Sequence, residues 1–204
     1  WFLACPYTPR RMMQLPERTV YNKIIQTGRM AEKLDANILG LGAFTSVVGD
    51  AGVTIANALE IPVTTGDSFT VAMAVQAIRD AAKVMDIKME DATVAIVGAT
   101  GAIGRVCSAL LAGEAARTLL IARDEKKLEV LRDRLQIKAR SELVISTKMD
   151  VLKDAQLILT VTSSIHDVIR PEFLQPGSVV CDVARPRDVS AMVAAVRDDI
   201  LVID

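Results

Sequence analysis

From Thr93 onward, short apolar runs rich in β-branched residues alternate with amphipathic stretches. That pattern predicts parallel strands buried on both faces, with helices covering the sheet. Six runs qualify as strands: Thr93–Val97, Thr118–Ala122, Leu143–Ser146, Leu157–Val161, Ser178–Asp182 and Leu201–Ile203. Ala102–Leu111 suits a helix, and the acidic start of Asp124-Glu125-Lys126-Lys127-Leu128 suits another, because the helix dipole favours negative charge in its first turn. The first half is less regular. Glu17–Leu34 reads as a helix despite Gly28, Asn37–Leu41 as a buried strand, and Ile61–Thr65 as a strand ending in the turn Thr65-Gly66-Asp67. A long helix from Ser68 to Met85 follows, with Val71, Val75, Ile78 and Ala82 at helical spacing along one side.

These elements predict an α/β protein. A doubly wound Rossmann sheet of six parallel strands is preceded by a smaller α/β substrate domain, expected to be incomplete. The expected boundaries are 1–67 for the substrate and catalytic part, 68–90 for a connecting helix and hinge, and 91–204 for the dinucleotide-binding domain. In such a fold the substrate cleft is expected beside the cofactor site, between the two domains. The chain begins at Trp1 and stops just after an apolar run, so flanking segments are expected to be missing.

Between the first Rossmann strand and its helix lies Gly98-Ala99-Thr100-Gly101-Ala102-Ile103-Gly104. A loop that turns into a helix while a pyrophosphate approaches its backbone needs glycine where side chains would intrude. Gly98 is expected to make the turn, Gly101 to clear space beneath the phosphates and Gly104 to allow close helix–strand packing. The spacing is GxxGxxG, and the strand and helix around it turn a weak motif into a specific one. The next strand ends at Arg123, where an NAD-binding domain usually places an acid for the ribose 2′-hydroxyl. A guanidinium there predicts a 2′-phosphate, and hence NADP(H), with Lys126 and Lys127 as reinforcement or as solvated helix face. Asp124 would return an acid to the ribose if the register shifted by one.

Composition narrows the partners. At 204 residues, 51% hydrophobic and with formal net charge −1, the chain can bury a core and has no field that would collect nucleic acid or an anionic membrane. A small-molecule or acyl substrate is expected, and a homo-oligomer is compatible with the sequence. No apolar run reaches membrane-span length. Cys5, Cys107 and Cys181 lie far apart without metal-ligand spacing, so no metal site is expected and a reducing cytoplasm fits. Cys107 falls where packing against the sheet needs a small residue, and Cys181 falls within the fifth strand as a core position. Cys5, in Ala4-Cys5-Pro6-Tyr7, lies outside regular structure and is the cysteine placed to face a cleft.

The segments Gly40–Val48 (GLGAFTSVV), Thr64–Thr70 (TTGDSFT) and Ala95–Gly104 (AIVGATGAIG) resemble the long-chain acyl-(acyl-carrier-protein) reductases and related predicted amino acid dehydrogenases. The likeness runs from near Cys5 to Asp204. More distantly, the Thr-Gly-Asp turn leading into a helix and then a Rossmann domain is similar to the shikimate dehydrogenases, and Asp182–Asp188 (DVARPRD) to glutamyl-tRNA reductases. The resemblance implies NADP(H) chemistry. It also implies Asp67 and Lys23 as catalytic candidates for proton transfer beside a hydride step. Asp67 has an alternative role as helix cap, and Lys23 as an exposed helical lysine. In acyl-carrier reductases the thioester-forming cysteine lies beyond the region matched here.

The turn Thr162-Ser163-Ser164, after the fourth strand, is the expected contact for the nicotinamide ribose. His166 is either a proton donor near it or a solvent-facing loop residue. Arg185-Pro186-Arg187 either binds an anionic substrate or begins the next helix. The function expected is NADP(H)-dependent hydride transfer at a carbonyl or alcohol. The alternatives are reduction of an acyl-carrier-protein thioester to an aldehyde, with the acyl carrier protein as partner, and a non-catalytic NADP(H)-binding regulator.

Overall fold

The computed structural model describes residues 1–164 and 168–204. Two compact units divide between Asp67 and Ser68.

The first unit, Trp1–Asp67, is built on α1 (Pro9–Gln14) and α2 (Glu17–Lys33), with β1 (Leu39–Gly40), α3 (Val53–Asn57) and β2 (Val63–Thr64) following. Val20, Ile24, Gly28 and Ala31 recur every three or four residues and form the buried face of α2. Val20 and Ile24 pack in a small core with Met12, Leu41 and Ile55. Gly28 sits mid-helix for a steric reason: a Cβ there would lie 2.4 Å from a methyl carbon of Leu59. The apolar run Asn37–Leu41 does not form the buried strand its composition suggests. Only Leu39 and Gly40 pair, in parallel with Val63 and Thr64, and Ile38 is 59% exposed. A two-stranded pair has one ladder and no second layer of strands to bury its other side.

The second unit, Ser68–Asp204, holds β3 (Thr93–Val97), β4 (Arg117–Ile121), β5 (Glu142–Ser146), β6 (Leu157–Thr160), β7 (Val179–Asp182) and β8 (Leu201–Ile203). They form one parallel sheet in the order β5-β4-β3-β6-β7-β8. This is the doubly wound Rossmann order, reversing between β3 and β6. The alternation of side chains along β3 shows why both faces are covered. Val94 and Ile96 pack with α4 (Asp67–Val84), α5 (Ala102–Leu111) and α6 (Glu125–Gln136), while Ala95 and Val97 pack with Ile169, Leu174 and Val193 of α7 (Ala191–Val196).

Helix α4 belongs to this second unit from Ser68 onward. Val71, Ala74, Val75, Ile78, Ala81 and Ala82 share the core of the Rossmann sheet, so the helix expected as a connecting arm is one of its covering layers. Its C-terminal half is further tied by Arg79, whose guanidinium pairs with Glu114 beyond α5. Pro186 does not begin a helix: α7 starts at Ala191, where the Ser190 hydroxyl accepts the Met192 N–H at 3.3 Å.

Candidate functional site

The loop leaving β3 is shaped by contacts no side chain could share. Gly98 has φ +87°, and a Cβ on it would stand 3.0 Å from the Val161 carbonyl oxygen and 3.2 Å from the Thr162 nitrogen. At Gly104 a Cβ would come 2.2 Å from the Gly98 oxygen, so α5 can lie this close to the loop only with glycine there. Gly101 is exposed, and a Cβ on it would meet nothing nearer than the Gly98 oxygen at 3.3 Å. Its N–H is held by the Gly98 carbonyl at 3.0 Å. Gly98 and Ala99 donate their N–H groups to the Ile121 carbonyl at 2.9 and 3.1 Å. Ala99 is fully buried, so these two residues fasten the loop to β4. Thr100 and Ile103 are half-buried, and Ala102 is exposed beside them.

Helix α5 begins after Gly101 without any side-chain cap. The first-turn N–H groups of Ala102, Ile103 and Gly104 lack intrahelical acceptors by the geometry of any helix start, and among the described residues no hydroxyl or carboxylate fills that role. A bare cradle of glycine backbone, an uncapped helix N-terminus and clearance at Gly101 together suit a pyrophosphate.

At the end of β4, Arg123 is exposed and forms no ion pair among the described residues. Its neighbour has a different task. Asp124 is the N-cap of α6: its Oδ1 accepts the Lys127 N–H at 3.1 Å, and its Oδ2 lies 3.7 Å from the Lys127 ammonium. The acid that a register shift would bring to the ribose is thus committed to starting a helix. Lys126 is exposed on the first turn of α6.

Across the switch point, the turn after β6 is held by a buried carboxylate that sequence reasoning did not single out. Asp188, fully buried, accepts the Thr160 hydroxyl and the Thr162 N–H (3.1 Å) on Oδ2, and the Thr162 hydroxyl on Oδ1. The Thr162 hydroxyl in turn accepts the Ser164 N–H at 3.0 Å. Thr162 therefore supports the turn with its polar atoms, while Ser163 is exposed and Ser164 half-buried. Asp182, 1% exposed at the end of β7, accepts the N–H groups of Ala184 (3.1 Å), Asp188 (3.0 Å) and Val189 (2.9 Å). Burial raises its pKa, opposed by these N–H groups and assisted by the nearby charge of Asp188. The signal in the sequence was a carboxylate closing an otherwise apolar strand, with a second one six residues on.

The other candidates separate. Lys23 donates to Gln26 on its own helix at 2.9 Å, and no hydrogen bond or ion pair joins it to Asp67 among the described residues. Asp67 is the first residue of α4, half-buried, its N–H directed at the Thr65 hydroxyl at 3.4 Å. Cys107 and Cys181 are buried, and burial pushes both thiols up to about 11, which removes them as nucleophiles. Cys5 is half-buried against the core of the first unit. The Arg185 guanidinium bonds the carbonyls of Asp182 and Ala184, and Arg187 pairs with Asp204. His166 lies outside the described residues. Among the described residues, no group of three or more His, Cys, Asp and Glu is placed to hold a metal ion, and no helix is long and apolar enough to cross a membrane.

Comparison with known proteins agrees with this geometry. The chain is 34% identical over 188 residues to the aminotransferase PigE of a Serratia species, covering 92% of this chain and 22% of that protein. It is 28% identical over 203 residues to the long-chain acyl-[acyl-carrier-protein] reductase of Synechococcus elongatus, covering 94% of this chain and 58% of that one. The chain thus spans less than two thirds of the length of either relative. The fold is also that of a dipicolinate synthase subunit from Bacillus halodurans, with TM-score 0.57 at 15% identity, over 93% of this chain and 62% of that one. The sequence profile of shikimate / quinate 5-dehydrogenases matches residues 79–204, from the middle of α4 through β8. The Rossmann unit is an oxidoreductase-type domain, and the chain belongs to the shikimate / quinate 5-dehydrogenase family.

Proposed function

We propose that this chain is an NADP(H)-dependent oxidoreductase that moves hydride to or from a carbonyl or its alcohol in a small metabolite or acyl substrate. The observation that carries the cofactor assignment is the pair Arg123 and Asp124: the guanidinium is exposed where β4 ends, and the adjacent carboxylate caps α6. In this reading the first-turn amides of α5 bind the pyrophosphate, Gly98, Gly101 and Gly104 keep the approach clear, and Arg123 with Lys126 binds the 2′-phosphate. The Thr162-Ser163-Ser164 turn meets the nicotinamide ribose. Bound nicotinamide supplies or accepts the hydride. Asp67 and Lys23, both in the first unit, are assigned the matching proton at the substrate oxygen.

Titrating the protein with NADPH and NADH tests this assignment. Arg123→Gln is expected to weaken NADPH about 10- to 100-fold, the worth of one or two charge-assisted hydrogen bonds, and to leave NADH within about twofold. A wild-type preference for NADH that survives Arg123→Gln would overturn it.

A second reading is favoured by the acyl-carrier-protein reductase likeness: reduction of a fatty-acyl thioester to an aldehyde. Buried Cys107 and Cys181 do not suit the nucleophile of that chemistry. Oxidation of NADPH on adding acyl thioesters, but not keto acids, would support the second reading; the reverse preference would remove it.

A further inference from the structure

Three separate stretches of chain meet on one residue in the second unit, and that residue is not on the glycine loop. Asp188 offers three acceptor contacts through its carboxylate: the Thr160 hydroxyl and the Thr162 N–H on one oxygen, and the Thr162 hydroxyl on the other. Its own carbonyl accepts the N–H groups of Val168 and Ile169, each at 2.9 Å. Its own N–H is fixed by Asp182 Oδ2 at 3.0 Å. The same residue therefore grips the chain where it leaves β6, at 160 and 162, and where it returns, at 168 and 169.

The gripped turn borders the phosphate cradle. Any Cβ on Gly98 would lie 3.0 Å from the Val161 carbonyl oxygen and 3.2 Å from the Thr162 nitrogen, so glycine loop and turn already stand at contact distance. Moved toward the loop, the turn collides; moved away, it leaves the crevice where β3 and β6 diverge. A fully buried carboxylate is a demanding way to fasten a loop, since it tolerates no unpaired oxygen. Hydroxyl and amide donors are arranged around both of its oxygens, so the position of the turn is tied to that one carboxylate.

We propose that Asp188 is a positioning residue for the nicotinamide half of the bound dinucleotide, acting through the Thr160–Thr162–Asp188 hydrogen-bond set that sets the Thr162-Ser163-Ser164 turn against the glycine loop. This rests on the dinucleotide reading above and divides that site in two. The adenosine half is held at β4 and α5, independently of Asp188. The nicotinamide half depends on it.

The division gives the test. Thr162→Val keeps the branched shape of the side chain and removes the hydroxyl that bonds Asp188 and Ser164; Asp188→Asn keeps the volume and removes the charge. Each variant is titrated by calorimetry with NADPH and, separately, with adenosine 2′,5′-bisphosphate, which has no nicotinamide half; if the wild type prefers NADH, the pair is NADH and AMP. Amide hydrogen exchange is measured on the same proteins without ligand.

Both variants are expected to weaken the dinucleotide about tenfold or more. Affinity for the adenosine half is expected to stay within about twofold, by the same conversion. Exchange is expected to quicken at Thr162, Ser164, Val168 and Ile169 and to stay slow along β3 and β4. Dinucleotide affinity unchanged in both variants overturns the proposal, as does equal weakening of both ligands, which is what general loosening would produce. If Asp188→Asn does not fold, Thr162→Val decides alone. A wild type that binds neither NADPH nor NADH overturns the cofactor reading itself, and this inference with it; a wild type that binds while the variants show no change overturns the inference only.

Discussion

The two sides of the sheet's switch point are built by different means. Beside β3 and β4 the loop is fixed by absence: glycines that let backbone touch backbone, and an α5 start without a cap. Beside β6 and β7 the turn is fixed by presence: two buried carboxylates, Asp188 held by donors from the distant Thr160–Thr162 stretch and Asp182 by N–H groups of the segment that follows it. Steric exclusion makes the first side rigid without any titratable group. The second is rigid only while its hydrogen bonds are all made. A family that keeps the phosphate end constant and adapts the other would find this division useful, because hydroxyls and carboxylates can be exchanged without rebuilding the loop.

The largest expected effect attacks the steric side. Gly104→Ala places a Cβ 2.2 Å from the Gly98 oxygen and 2.9 Å from its carbonyl carbon, both backbone atoms that cannot swing away. Either α5 lifts from the loop or Gly98 moves and loses its bond to β4. Destabilisation of about 3 kcal/mol is expected, the upper part of the range for overpacking, with loss of both dinucleotide and adenosine-half binding. Urea unfolding and calorimetry check this. A variant with wild-type stability and binding would mean that the close approach is not what shapes the cradle.

A middle-sized effect separates two neighbours at the end of β4. Asp124→Ala removes the acceptor of the Lys127 N–H and is expected to lower stability by about 1 kcal/mol, the usual value for an N-cap. The ratio of NADPH to NADH affinity is expected to stay within about twofold, because a cap does not read the ribose; that margin is a few tenths of a kcal/mol. A swing of the ratio toward NADPH would instead show Asp124 acting on the ribose, and would undo the distinction between Arg123 and Asp124.

The same contrast explains what was legible in the sequence. The steric side was readable because its signals are local: a strand, three glycines at fixed spacing and a helix, with β3 and α5 falling at Thr93–Val97 and Ala102–Leu111 as the pattern predicts. The hydrogen-bonded side was not, because Thr160, Thr162, Val168, Asp182 and Asp188 come together through the order of β6 and β7 in the sheet, and no spacing rule encodes that. Pro186 misled for a related reason: helix α7 starts four residues beyond Arg187, at a serine cap, after the chain has wrapped around Asp182. In the first unit, Asn37–Leu41 has the apolar content of a buried strand, but its depth depends on neighbours, and only β2 pairs with it.

The smallest expected effect is one of slope, and it belongs to the carboxylate side alone. Burial holds Asp182 above the ordinary value of 3.8, with the charge of Asp188 acting in the same direction and the N–H groups of Val189, Ala184 and Asp188 acting against it. A raised value in the folded state means that the folded protein binds the proton more tightly than the unfolded chain. Its contribution to stability is therefore full below the unfolded value and is lost as pH rises through the folded one. Asp50, Asp80 and Asp199 are shifted downward, first by hydrogen bonds from Thr54, Gln76 and Arg197 respectively, and work oppositely: their contribution is present above 3.8 and lost as pH falls through their folded values. The pH profile of the wild type mixes both signs, so the informative quantity is the difference from Asp182→Asn, which cannot titrate there and keeps an oxygen for the Asp188 and Val189 N–H groups. Urea unfolding from about pH 4 to about pH 7 is expected to show wild type gaining on Asp182→Asn as pH falls. Gly104→Ala, measured alongside, is expected to give a difference from wild type that does not vary with pH, since no titratable group lies in the loop from Gly98 to Gly104. A difference for Asp182→Asn that is flat, or that grows with rising pH, would mean that the three N–H groups outweigh burial, and that Asp182 is held as a favoured carboxylate in the same manner as the surface acids.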